Sequence, residues 1–133
     1  MLNSDRKILS VVSGVIAGQN GRILLAKRPT FKSNGDMWEL PGGKKEGSET
    51  AFETLKRELA EEIGVHVFSA EYLTCVKHDY VDYSVSAEGW FISHYHGEPS
   101  PCEGQTLLWA NKQLIANLNM VPTAIDILSI IFG

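Results

Sequence analysis

Three glutamates, Glu58, Glu61 and Glu62, stand at spacing i, i+3, i+4 within the stretch GKKEGSETAFETLKRELAEEIGV, residues 43–65. On a helix that spacing puts all three carboxylates on one face. Like charges so placed repel by about 0.2–0.5 kcal/mol per pair in water. The repulsion grows beside a core stripe, where the dielectric falls. A chain selected for stability alone would place a lysine at one of these positions. A solvated acidic face is the plain alternative. The chemical reading is a site for hard divalent cations, which take carboxylate oxygens; Mg2+ keeps several waters and bridges to phosphates, so one or two carboxylates per ion suffice. Three or four clustered carboxylates suit more than one ion.

A helix over 51–63 must carry these groups. Thr50-Ala51-Phe52-Glu53 is a capping box, in which the threonine oxygen accepts an N–H and Glu53 reaches back. Gly64 falls where a helix end wants a positive φ. Phe52, Leu55, Leu59 and Ile63 form the apolar stripe, and the three glutamates occupy the neighbouring face. Upstream, apolar runs at 7–17 and 22–28 read as strands, joined by Gln19-Asn20-Gly21, a strong hairpin signal. Arg6-Lys7 followed by an apolar run imitates a leader peptide, but the second strand needs the first as its partner, so a buried strand is the better reading. A polar loop, 29–36, leads into Trp38-Glu39-Leu40-Pro41-Gly42-Gly43. Strands are predicted at 65–77, 83–95 and 105–110, a short helix at 112–117 and a closing helix at 123–131. The apolar run Ile125–Phe132 is far shorter than the ~20 residues a membrane span needs. Strands around one long helix make a mixed α/β or α+β layered domain.

The same stretch resembles the Nudix box, G-x5-E-x7-R-E-U-x-E-E-x-G-U with U aliphatic. Gly43, Glu49, Arg57, Glu58, Leu59, Glu61, Glu62, Gly64 and Val65 fill every defined position. Residues 38–43 resemble the family's lead-in. Gly97-Glu98-Pro99, Glu103-Gly104-Gln105 and Trp109 resemble later segments of the MutT-like branch. The resemblance implies a Nudix-type α/β/α sandwich, a mixed β-sheet between helices. It also implies hydrolysis of a nucleoside diphosphate linked to another moiety, with Mg2+ or alternatively Mn2+. Under it, Glu58, Glu61, Glu62 and Glu103 are metal ligands, joined by the Gly43 carbonyl. Glu49 and Arg57 position those ligands; a surface ion pair with Glu61 is the plain role for Arg57. Either Glu58 or Glu103 is the general base. Arg28 and Lys27, ending the second strand, would reach substrate phosphates. In the MutT-like branch a side chain near the start of the last helix reads the base; here Ala124 falls at that position, with Thr123 and Asn119 nearby. Tyr80 and Tyr83 lie in a region that varies between substrate classes.

The whole chain fits these expectations. At 133 residues it is read as one domain, 1–133, long enough to bury a core. It is 44% hydrophobic with a mean hydropathy of −0.08, which excludes a disordered chain, a fibrous repeat and a membrane span. With Lys+Arg at 12 against Asp+Glu at 16, the net charge is −4, so the basic footprint of a duplex nucleic-acid binder is absent. The partner expected is a small nucleotide; oligomeric state is unreadable. Cys75 and Cys102 form no CxxC, which suits a reducing, cytoplasmic setting. His94 and His96 share a strand face without a third ligand, and Trp90 and Phe91 read as sheet residues. The resemblance implies, as the leading expectation, a MutT-like triphosphate pyrophosphohydrolase serving nucleotide-pool sanitation. Hydrolysis of a dinucleoside polyphosphate, nucleotide sugar or ADP-ribose is the alternative, and a non-catalytic nucleotide-binding module the remote one.

Overall fold

The structure is a computed structural model describing residues 6–31 and 35–133. Residues 32–34 of the polar loop lie outside the described residues. Strands β1 (Lys7–Val15), β2 (Ile23–Lys27), β3 (Trp38–Glu39) and β4 (Gly42–Lys44) precede helix α1 (Ala51–Ile63). Strands β5 (His66–Asp79), β6 (Tyr83–His96) and β7 (Leu107–Ala110), then helices α2 (Lys112–Ala116) and α3 (Pro122–Phe132), complete the order.

Helix α1 spans the predicted residues, with both halves of the capping box formed and Gly64 left-handed at φ 70°. The alternation of β1 builds the layers. Val12 and Ile16 point to one side, where they pack with Leu55, Leu59 and Ile63 of α1. Val15 points to the other, where it packs with Ala124, Ile127 and Leu128 of α3. Two glycines let the helices approach: a Cβ on Gly14 would crowd Leu55 and Leu59, and one on Gly89 would meet Ile127. The result is a four-stranded mixed sheet, ordered β4-β1-β6-β5, between α1 and α3. β1 and β6 run parallel over nine paired residues, and the other pairs are antiparallel.

The N-terminal hairpin is shorter than the sequence suggests. Asn20 and Gly21 both take positive φ, 59° and 72°, and Gly18 N–H bonds the Arg22 carbonyl at 2.7 Å, so the turn forms. Pairing stops after Ala17 with Ile23 and the bond from Leu24 N–H to the Ile16 carbonyl. β2 then leaves for a second, antiparallel sheet, ordered β3-β2-β7. The physical reason is that β2 is buried on both faces: Ile23 and Leu25 enter the α3-side core and Leu24 the α1-side core. Its edges pair with β3 and β7, while those of β1 go to β4 and β6. Among the described residues no helix is long and apolar enough to cross a membrane. Cys75 and Cys102 are free thiols.

Candidate active site

A cleft of about 1130 Å³ runs along the α3 side of the mixed sheet. It is lined by the carboxylates Glu39, Glu58, Glu61, Glu62 and Glu103 and by the apolar side chains of Leu9, Val11, Val85, Val121 and Ala124. The period of two along β1 places Leu9, Val11 and Ser13 on this wall.

β4 brings the loop before α1 against the helix. Gly43 pairs with Val12, and a Cβ at Gly43 would run into the Glu58 carboxylate. Only glycine allows that approach. Gly42 holds φ at 153°, and a side chain there would strike the Val12 carbonyl. Its N–H donates to the Glu62 carboxylate.

Arg57 organises the carboxylates. Its Nε and Nη2 donate to Glu49 at 2.6 and 3.1 Å, a two-point pair. Nη1 donates to Glu58 at 3.0 Å and to Glu61 at 3.3 Å, and Nη2 also reaches the Lys44 carbonyl at 3.0 Å. The i, i+4 contact with Glu61 is therefore the longest of these donations, and Glu49 is the principal partner. Glu49 lies outside the cleft lining and accepts from Thr54 Oγ1 at 2.8 Å and Glu46 N–H at 3.0 Å. These donors, Arg57 foremost, hold its carboxyl down at about 2. Arg57 is held protonated above its usual range, chiefly by Glu49.

The other carboxylates feel the opposite force. Burial pushes Glu62 up to about 8, reinforced by the charges of Glu39, Glu58 and Glu103. Burial also raises Glu58, against the pull of Arg57. Glu61 is more open, with 56% of its side chain exposed against 19% for Glu58. Glu103 sits on an exposed loop that crosses the end of α1. Among the described residues no three acidic, histidine or cysteine side chains converge on one point; Arg57 Nη1 stands between Glu58 and Glu61. The donor set nevertheless fits a hard cation. It is all oxygen, its most buried member lies among like charges, and Mg2+ needs few protein ligands when waters and phosphates supply the rest.

The remaining sequence candidates divide. Lys27 and Arg28 line the cleft, Lys27 Nζ lies 5.8 Å from the Trp38 ring centroid, and Arg28 donates to Glu39 at 2.9 Å. Thr123 and Ala124 line the cleft, both buried. Asn119 does not; it is exposed, and its carbonyl accepts from Trp38 N–H at 2.9 Å. The β3 crossing consumes the backbone there and leaves the amide outside. His94 and His96 are exposed on the sheet away from the cleft, with His94 Nδ1 2.8 Å from Ser69 Oγ. Trp90 packs edge-on to Tyr72. Tyr80 and Tyr83 stack at 4.9 Å and line the cleft beside Lys7 and Asp82.

Glu39 and Gln105 are the residues that reading the sequence left without a role. Both lie in segments noted for resemblance, but neither spacing nor periodicity places β3 or the loop around Glu103 beside α1. A model of the NUDIX domain family matches residues 7–122. An 8-oxo-dGTP diphosphatase of Proteus vulgaris is 35% identical over 100 residues, covering 75% of this chain and 89% of that protein. A CTP pyrophosphohydrolase of Escherichia coli strain K12 is 30% identical over 122 residues, covering 92% of this chain and 90% of that one. The solution structure of the Escherichia coli ORF135 protein superposes with a TM-score of 0.82 at 29% identity, covering 96% of this chain and 91% of that chain.

Proposed function

The chain belongs to the NUDIX domain family, as a MutT-like hydrolase of phosphoanhydride bonds, and from that premise we propose that it is a single-domain, Mg2+-dependent nucleoside triphosphate pyrophosphohydrolase. It converts a (d)NTP or oxidised (d)NTP to the monophosphate and pyrophosphate, in the cytoplasm, as a nucleotide-pool sanitation enzyme. The observation that carries this reading is the cleft itself. It joins a set of carboxylates suited to cations that escort phosphates to an apolar wall suited to a base, in a volume of about 1130 Å³.

Glu58, Glu61, Glu62 and Glu103, with the Gly43 carbonyl, would hold the metal, Mg2+ or alternatively Mn2+. Bound there, a divalent ion screens the phosphates, polarises the P–O bond and lowers the pKa of a water. Glu58 or Glu103 takes the proton of the attacking water. Arg57, fixed by Glu49, sets the direction of Glu58 and Glu61. Lys27 supplies positive charge toward the phosphates, as does Arg28, through a guanidinium already turned to Glu39. Toward the base, Thr123 of the cleft lining offers one hydroxyl and Ala124 a methyl that neither donates nor accepts. Selectivity among bases is accordingly broad: kcat/KM for several dNTPs falls within about two decades, roughly 3 kcal/mol at the transition state.

The test is a turnover screen of some twenty nucleotides with Mg2+, with products separated by chromatography. Attack at an internal phosphorus yields NMP and pyrophosphate. NDP and orthophosphate, or no turnover of any nucleotide, refutes the proposal.

A further inference from the structure

We infer that Gln105 is a positioning residue that fixes Glu103 to the end of helix α1, so that carboxylates from distant parts of the chain share one geometry. Its side-chain Nε2 donates to the Glu62 carbonyl at 3.0 Å, and its Oε1 accepts from Glu103 N–H at 3.1 Å. One amide thus joins the backbone of Glu62 to the backbone of Glu103. An amide has a donor and an acceptor at its two ends, and this one uses both. A carboxylate or an apolar side chain of the same length cannot make both bonds.

The rest of the loop shows why the tether matters. The last carbonyls of a helix have no partner within it. Here the loop supplies them: Ser100 N–H donates to the Ile63 carbonyl at 3.0 Å and Cys102 N–H to the Glu62 carbonyl at 3.2 Å. Gly97, at φ 104°, packs so closely that a Cβ would meet the Gly64 carbonyl. The chain before Glu103 is therefore anchored by backbone bonds. After it comes Gly104, at φ 75° in a turn closed to the Pro101 carbonyl at 3.1 Å. Glu103 itself is exposed. Half-buried Gln105 is the anchor on the far side, and it holds the same carbonyl that Cys102 holds. Glu103 is thereby clamped between two bonds to Glu62, near enough for its charge to act on both Glu58 and Glu62.

The inference rests on the reading that Glu103 and Glu62 serve one metal and substrate site. It is tested with Gln105→Met, which keeps the volume and loses both bonds, and Gln105→Glu, which keeps the acceptor for Glu103 N–H and loses the donor to Glu62. Mn2+ binding is measured without nucleotide by calorimetry or electron paramagnetic resonance, beside kcat, KM for a dNTP and the thermal midpoint. Both variants should bind Mn2+ about 10-fold more weakly and lose about 10-fold in kcat, the low end of the scale for changes behind a metal ligand. KM should stay within about twofold, and the midpoint within a few degrees. Mn2+ affinity and kcat within about twofold of the parent in Gln105→Met would overturn the inference. So would failure of both variants to fold, since Gln105 would then serve the fold and not the site. A parent protein that binds Mn2+ but turns over no nucleotide would refute the proposed function, while the Mn2+ comparison would still decide the role of Gln105.

Discussion

Removing the charge of Glu62 should stabilise the metal-free protein and abolish its work. Burial and three neighbouring carboxylates raise this group from 4.5 to about 8. A raised carboxyl binds its proton more tightly folded than unfolded, so stability falls as pH rises between those two values. At pH 7.5 the penalty is about 4 kcal/mol, at 1.36 kcal/mol per unit of displacement. Relaxation of the cleft and entry of water bring the expected effect to about 2–4 kcal/mol. Glu62→Gln removes the titrating group and keeps an oxygen for the Gly42 N–H. The assay is urea unfolding in EDTA at pH 5 and pH 7.5. The variant should exceed the parent by little at pH 5 and by about 2–4 kcal/mol more at pH 7.5. Mg2+ should narrow that gap by stabilising the parent, and kcat with Mg2+ should fall roughly 100-fold or more in the variant. An equal gap at both pH values would refute the electrostatic argument; retained Mg2+-dependent activity would refute the ligand assignment.

Gly43→Ala should displace the Glu58 carboxylate and cost about tenfold or more in kcat, with far-ultraviolet circular dichroism unchanged; wild-type turnover would show that the close approach is dispensable. Glu49, held at about 2 by Arg57 and its other donors, contributes stability that is complete above its unfolded value of 4.5 and is lost as pH falls toward 2. Acid unfolding of Glu49→Gln should therefore show a shallower loss between pH 4.5 and 2 than the parent, and parallel curves would count against the pairing. Ala124→Asn should raise the preference for purine over pyrimidine triphosphates, measured as a ratio of kcat/KM, because an unpaired amide penalises the wrong base. A parent protein that already prefers 8-oxo-dGTP over dGTP by more than about 10³ would overturn the broad-selectivity argument behind it.

Helix α1 was legible residue by residue, from its capping box to Gly64, because caps, apolar stripe and acidic face all lie within one short stretch and obey one period. The carboxylates Glu58, Glu61 and Glu62 were legible for the same reason. The mixed sheet between helices was legible as a class, since the resemblance spans nearly the whole chain. The hairpin shows where local signals end. Asn20-Gly21 set the turn correctly, yet a turn fixes only the few pairs beside it. Whether β1 and β2 stay together depends on what each buries, and β2 buries both faces against two cores. Asn119 shows the same limit. Its closeness in sequence to Thr123 and Ala124 suggested a shared task, but the crossing of β3 turns the chain and leaves it outside the cleft.

The sequence by itself determined the chemistry on offer: hard oxygen donors at helical spacing, an arginine among them and a glycine where a carboxylate must approach. Only the tertiary structure decided how those groups are charged and held. Glu49 and Glu62 are the same residue type at either end of one motif, yet one is drawn to about 2 and the other pushed to about 8. Arg57 reaches the first, while burial among Glu39, Glu58 and Glu103 isolates the second. Two of those neighbours arrive on segments far from α1 in the chain. A carboxyl's affinity for its proton is set by solvent access and by charges a few ångströms away, and those distances exist only once the sheet, the helix and the loop around Glu103 have packed.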